Sequence, residues 1–200
     1  MKKVAVLLAT GFEEGEALFV VDILRRANIR CDILSADGKP QVTGSHAITV
    51  IADRILDGSI DDYDMIVLPG GMPGAANLKD NANVLEAVQR FSRNPDKFVA
   101  AICAAPMVLA EAGVTLGKRL TSYPGAKYRN LFPDSEYVED PVVVDGNLIT
   151  SRGPATVLPF AFALVDILGG NSAPIREDML YNYLVDWHAG TALPHAHPCG

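Results

Sequence analysis

The sequence predicts an α/β protein, a mostly parallel sheet with helices on both faces. Two observations carry this. Short apolar runs alternate with stretches of helical periodicity from one end of the chain to the other. Runs such as YDMIVLPGG (63–71) and FVAAI (98–102) read as buried strands, and the segments rich in chemistry follow their carboxyl ends.

The elements follow in order. VAVLLA (4–9) is the first strand. Its start, MKKVAVLLA, imitates a signal peptide, but the apolar run is short and the acids Glu13, Glu14 and Glu16 follow it, with no clear small-residue cleavage site. GEALFVVDILRRAN (15–28) has apolar residues at helical spacing and ends at Asn28. IRCDILSA (29–36) is a second strand, with Cys31 packed into the core. VTGSHAITVIAD (42–53) is a turn between extended segments. The strand at 63–71 runs into glycines, and NVLEAVQRFSRN (83–94) is a helix. FVAAI leads into AAPMVLAEA, a helix stopped by Gly113. VVVDGNLIT (142–150) is a hairpin with an Asp-Gly turn. PATVLPFAFALVDILGG (154–170) is a helix that Pro159 either kinks or forces to start late. IREDMLYNYLVDW (175–187) is the last helix, and Tyr181, Tyr183 and Trp187 on it cover apolar surface. Residues 1–187 form a single domain, and 188–200 a tail.

The bulk properties narrow the function. Two hundred residues, 49% hydrophobic and 20% charged, suit one soluble domain with a sizeable core. A net charge of −7 without a Lys/Arg cluster argues against nucleic acid as a partner. No stretch is long enough to cross a membrane. Three widely spaced cysteines do not make a disulfide framework, so a reducing cytoplasm is expected. In the tail, His195, His197 and Cys199 offer alternating ligands in a segment without other structure, so no metal site is assigned.

In an open parallel sheet, ligands bind beyond the carboxyl ends of the strands. Four segments fall there: TGFEEGE, PGGMPG, the junction at Cys103, and SRGP. Cys103 sits where a strand turns sharply into a helix, between the small residues Ala101 and Ala105, with Pro106 suited to the first helical turn. The helix N-terminus is expected to lower the thiol pKa. A buried structural cysteine is the competing reading. Glu16 is the best-placed proton partner, with Glu13 and Glu14 as rivals; a buried Glu16 has a raised pKa and donates to the thiolate. Gly70 and Gly71 either admit a small substrate or form a plain turn. The N–H of Gly71, with that of Ala104, can bind an oxyanion. Arg152, followed by Gly153, either orients an anionic group or forms a surface salt bridge.

Taken together, ATGFEEGEA (9–17), VLPGGMPGA (67–75), AAICAAPMVLAEAG (100–113), TSYPGAK (121–127) and ITSRGPAT (149–156) resemble the ThiJ/PfpI superfamily, in the branch of the parkinsonism-associated deglycases. The resemblance spans roughly residues 2 to 185. It implies a flavodoxin-like three-layer α/β sandwich, a homodimer, a reactive and oxidisable Cys103, Glu16 hydrogen-bonded to it, and Gly71 and Ala104 as backbone donors. Substrate contacts are expected from Gly70, Tyr123, Arg152 and Gly153. The sequence departs from the fuller family site at Tyr123, where other members carry histidine. A phenol with a pKa near 10 is no base at neutral pH, which argues against peptidase or amidase chemistry. His46, the only histidine outside the C-terminal end, is read as a surface residue.

The resemblance implies two activities. One is a glyoxalase or deglycase acting on α-oxoaldehydes such as methylglyoxal, or on their protein adducts, without metal or other cofactor. The other is a stress-responsive protein or chaperone in which Cys103 oxidises to sulfinic acid.

Overall fold

A computed structural model describes residues 2–57 and 60–189. In chain order the elements are β1 (Lys3–Leu8), α1 (Glu14–Arg26), β2 (Arg30–Ser35), β3 (Gln41–Thr43), β4 (Thr49–Ile51), β5 (Arg54–Ile55), β6 (Met65–Leu68), α2 (Gly74–Lys79), α3 (Ala82–Arg93), β7 (Phe98–Ile102), α4 (Pro106–Glu111), β8 (Arg119–Leu120), α5 (Ala126–Arg129), β9 (Glu136–Tyr137), β10 (Val142–Asp145), β11 (Leu148–Ser151), α6 (Val157–Ile167), α7 (Ala173–Asp178) and α8 (Tyr181–His188). A 3₁₀ turn at Pro154–Thr156 precedes α6.

Seven strands form one sheet in the order β10-β11-β7-β6-β1-β2-β5. All neighbours are parallel except β10 and β11, the hairpin expected at the Asp-Gly turn. The arrangement is the flavodoxin-like α/β sandwich that the resemblance implied. The first strand shows why its sequence is apolar throughout. Val4, Val6 and Leu8 enter the core under α1 and α6, while Ala5, Leu7 and Ala9 enter the core under α3 and α4. A strand covered on both faces has no solvent side to mark with polar residues. The chain runs from β1 outward to β2, then crosses back to β6 on the other flank of β1. That reversal is a topological switch point, and it opens a crevice at the carboxyl ends of β1 and β6.

Several expectations need correction. At Pro159 the late start, one of the two alternatives, is what the structure has: the residue lies in the first turn of α6, which begins at Val157. The expected last helix is two: α7 and α8 are separated by Leu180, whose φ of 57° is left-handed. Tyr181 packs edge-on against Phe162 at 5.1 Å and covers apolar surface as expected, while Tyr183 and Trp187 are more exposed. The extended segments at 42–53 pair as the small β3–β4 hairpin apart from the main sheet. The short α2, α5, β8 and β9 were not anticipated. Cys31 is buried in the core as expected, and burial pushes its thiol up to about 12. The expected tail ligands His195, His197 and Cys199 lie outside the described residues.

Candidate active site

The four loops converge, and backbone hydrogen bonds tie them together. After β1, Glu13 N donates to Gly70 O at 2.9 Å, and Gly74 N donates to Gly11 O at 3.1 Å. After β7, Cys103 N donates to Ser151 O at 3.0 Å. A fifth segment joins them, because Tyr123 N donates to Cys103 O at 2.7 Å.

Cys103 stands on the turn between β7 and α4 with φ of 64°. A residue with a Cβ is strained in this left-handed region by about 1–2 kcal/mol. The turn lifts the side chain out of the strand line, and buried Ala101 and Ala105 keep the flanks small. Cys103 itself is 8% exposed, on the border between core and surface.

Glu16 lies in the first full turn of α1 and is completely buried. Its Oε2 accepts the N–H of Gly70 at 2.8 Å. Its Oε1 finds no N–H or O–H donor among the described residues. Burial pushes the Glu16 carboxyl up to about 7, opposed by its hydrogen bonds with the Cys103 thiol and Gly70. Gly70 has to be glycine: a Cβ there would sit 2.7 Å from Cys103 Cβ, 2.7 Å from Glu16 Oε2 and 2.9 Å from Ala104 N. Gly71 has φ of 85°, and a Cβ on it would meet Gly11 O at 2.6 Å.

The thiol departs from the expectation of a lowered pKa. Burial pushes it up, and the charge and hydrogen bond of the adjacent Glu16 carboxylate push it further. The N–H groups of Gly71 and Ala104 pull it down, but by less. The physical reason is that α4 is only six residues long, so its N-terminus is outweighed by an ionised neighbour in a dry site. Near neutral pH the pair carries one negative charge rather than two.

The remaining residues sort as follows. Tyr123 is 45% exposed, and its ring stands over Gly153, where a Cβ would meet it at 3.6 Å. The backbone N–H groups of Arg152 and Gly153 both donate to Thr156 Oγ1. The guanidinium of Arg152 forms no ion pair among the described residues, against the surface salt-bridge reading, and its buried Nη1 has no acceptor there. Glu13 and Glu14 engage His46 instead, so neither competes with Glu16 as the partner of Cys103. His46 is exposed, as read, but paired. Tyr128, on α5, was missed. Its ring meets Tyr123 edge-on at 5.7 Å, and its hydroxyl is pushed up by burial and then by the charge of Cys103. No sequence signal marked it, because a four-residue helix has no periodicity to read.

Comparison with known proteins follows the same lines. The DJ-1/PfpI family pattern matches residues 2–167. The chain belongs to the DJ-1/PfpI family. The Drosophila melanogaster protein dj-1beta is 41% identical over 171 residues, covering 84% of this chain and 90% of that protein. A deglycase from Pyrococcus horikoshii is 36% identical over 168 residues, covering 83% of this chain and 99% of that protein. The crystal structure of a mutant DJ-1 superfamily protein from Salmonella typhimurium superposes with a TM-score of 0.82 at 40% identity, covering 92% of this chain and 98% of that one. Among the described residues, no helix of this DJ-1/PfpI member is long and apolar enough to cross a membrane.

Proposed function

We propose that this chain is a cysteine-dependent, cofactor-independent enzyme of the glyoxalase or deglycase type, acting on α-oxoaldehydes or on their adducts with proteins. The observation that carries the reading is the buried Glu16 carboxyl, raised to about 7, beside a thiol that also receives two backbone N–H groups. The Glu16 carboxylate takes the thiol proton as the sulfur attacks, and the N–H groups of Gly71 and Ala104 stabilise the developing thiolate.

The chemistry follows from that placement. The thiolate adds to the aldehyde carbon of methylglyoxal, and Glu16 delivers its proton to the new alkoxide, giving a hemithioacetal. The Glu16 carboxylate then removes the proton from that carbon and returns it to the neighbouring carbon, the former ketone, while the hydroxyl proton passes from the first oxygen to the second. The first carbon is oxidised to a thioester and the second reduced to an alcohol, so no external oxidant enters. Water, deprotonated by Glu16, cleaves the thioester; the departing sulfur takes that proton back as the thiol, and lactate leaves with its own proton released to solvent. In this reading the Gly71 and Ala104 N–H groups hold the oxyanion of each addition. Tyr123, Arg152 and Gly153 line the approach. None of the steps asks for an imidazole, which suits a chain with tyrosine at 123 and with His46 held by Glu14. Mass analysis of rapidly quenched protein tests the reading: an adduct of one methylglyoxal on Cys103 supports it, and turnover without any adduct contradicts covalent catalysis. A homodimer and a cytoplasmic location are expectations carried by the family resemblance.

A second reading draws on the same contacts. Oxidation of the sulfur to sulfinate would place its oxygens against the Gly71 and Ala104 N–H groups and the Glu16 carboxyl. Peroxide titration of wild type and Glu16→Gln separates it from the first: a sensor oxidises selectively at Cys103 and has no turnover when reduced.

A further inference from the structure

A second cluster of ionisable side chains lies where the loop after β1 meets the β3–β4 hairpin. It uses none of the groups assigned to the chemistry above. We infer that Glu13, Glu14, Ser45 and His46 form a binding site for one divalent transition-metal ion of the zinc class.

The donor atoms already stand in the right figure. His46 Nδ1 is 2.8 Å from Glu14 Oε2 and 3.5 Å from Glu13 Oε2. Ser45 Oγ is 3.1 Å from His46 Nδ1, 3.3 Å from Glu14 Oε2 and 3.4 Å from Glu13 Oε2. Four ligands around a tetrahedral zinc at its usual bond length are separated by about 3.3 Å. Four of these five distances lie within about 0.2 Å of that spacing, and the fifth, His46–Glu14, is shorter by about 0.5 Å and must widen to admit the ion. One imidazole nitrogen with carboxylate and hydroxyl oxygens is a donor set that zinc accepts, and no thiolate takes part.

The site is also held from outside. Glu14 is buried, and its other oxygen, Oε1, accepts the backbone N–H of His46 at 2.7 Å, which fixes the carboxylate in the way an outer-shell bond orients a ligand. Gly44 leaves the room: a Cβ there would collide with the Glu14 carboxylate. The hairpin is pinned to the loop by Gly11 N donating to Thr43 O and Ser45 N donating to Phe12 O, both at 2.8 Å. These backbone bonds hold the donor residues together whether or not an ion is present. His46 is exposed, so an ion has a path in.

Isothermal titration of the full chain with Zn²⁺ tests the site, with His46→Ala, Glu13→Gln and Cys103→Ala measured in parallel. The expected result is one binding event that His46→Ala loses and Cys103→Ala keeps. Glu13→Gln, which preserves side-chain size, should weaken it by about tenfold or more. A titration of His46→Ala that superimposes on wild type overturns the inference, as does a wild-type event lost in Cys103→Ala. Retention in Cys103→Ala also separates this site from the proposed enzyme activity, which that variant abolishes.

Discussion

The Glu16 carboxyl and the Cys103 thiol are buried against each other, with Gly70 between their backbones. Gly70 donates its N–H to Glu16 Oε2 and leaves no space for a Cβ between that oxygen and Cys103. In such a dry site two adjacent charges repel strongly. A single proton is therefore shared by the pair, and its position sets the chemistry.

The stability of the protein should report that proton. Glu16 moves from an ordinary 4.5 to about 7 on folding. Between those values the folded state binds more protons than the unfolded state, so stability falls as pH rises through this window and levels off above it. The shift corresponds to about 3 kcal/mol. Urea unfolding across pH 4.5 to 8 should show wild type losing about that much relative to Glu16→Gln. Parallel curves for the two proteins would place the Glu16 carboxyl at an ordinary pKa.

Gly70→Ala should damage the site more than the fold. The added methyl meets Cys103, Glu16 and Ala104 within 3 Å, and something must shift. Overpacking of this kind costs about 1–3 kcal/mol. Activity should fall by about 100-fold, since Glu16 and Cys103 are forced apart. Denaturant titration and steady-state kinetics on the same preparation check both figures.

The strain at Cys103 is measurable by comparing two removals of the thiol. Its φ of 64° suits glycine and strains alanine. Cys103→Gly should be more stable than Cys103→Ala by about 0.5–1 kcal/mol. The reverse order of unfolding midpoints would mean that the turn relaxes when the sulfur is lost.

Tyr123→Phe should change kcat/KM by less than about threefold, because every proton transfer in the proposed route is assigned to Glu16. The ring keeps its contacts with Gly153 and Tyr128. A loss of about 100-fold or more would make the hydroxyl a proton donor.

The sheet and the convergence of loops were legible because strands buried on both faces leave a continuous apolar run, and the polar residues resume where each run ends. Cys103, Glu16, Gly70 and Gly71 were marked in this way. The thiol's pKa was misjudged from position alone, since the carboxylate that overrides the helix N-terminus comes from a segment 87 residues earlier in the chain. The pairing of Glu13 and Glu14 with His46 was hidden for the same reason: it depends on a hairpin folding back onto a loop. The break at Leu180 had no sequence signal, because nothing in a leucine announces a left-handed backbone. Short elements such as α5, which brings Tyr128 to the site, fall below the length at which periodicity can be read.

The central claim is that Cys103 and Glu16 together convert an α-oxoaldehyde without any cofactor. Lactate formation from methylglyoxal by fully reduced protein, with nothing else added, tests it most directly. The account predicts turnover by wild type, none in Cys103→Ala, and a loss of about 100-fold or more in Glu16→Gln. Equal lactate formation by wild type and Cys103→Ala would contradict it.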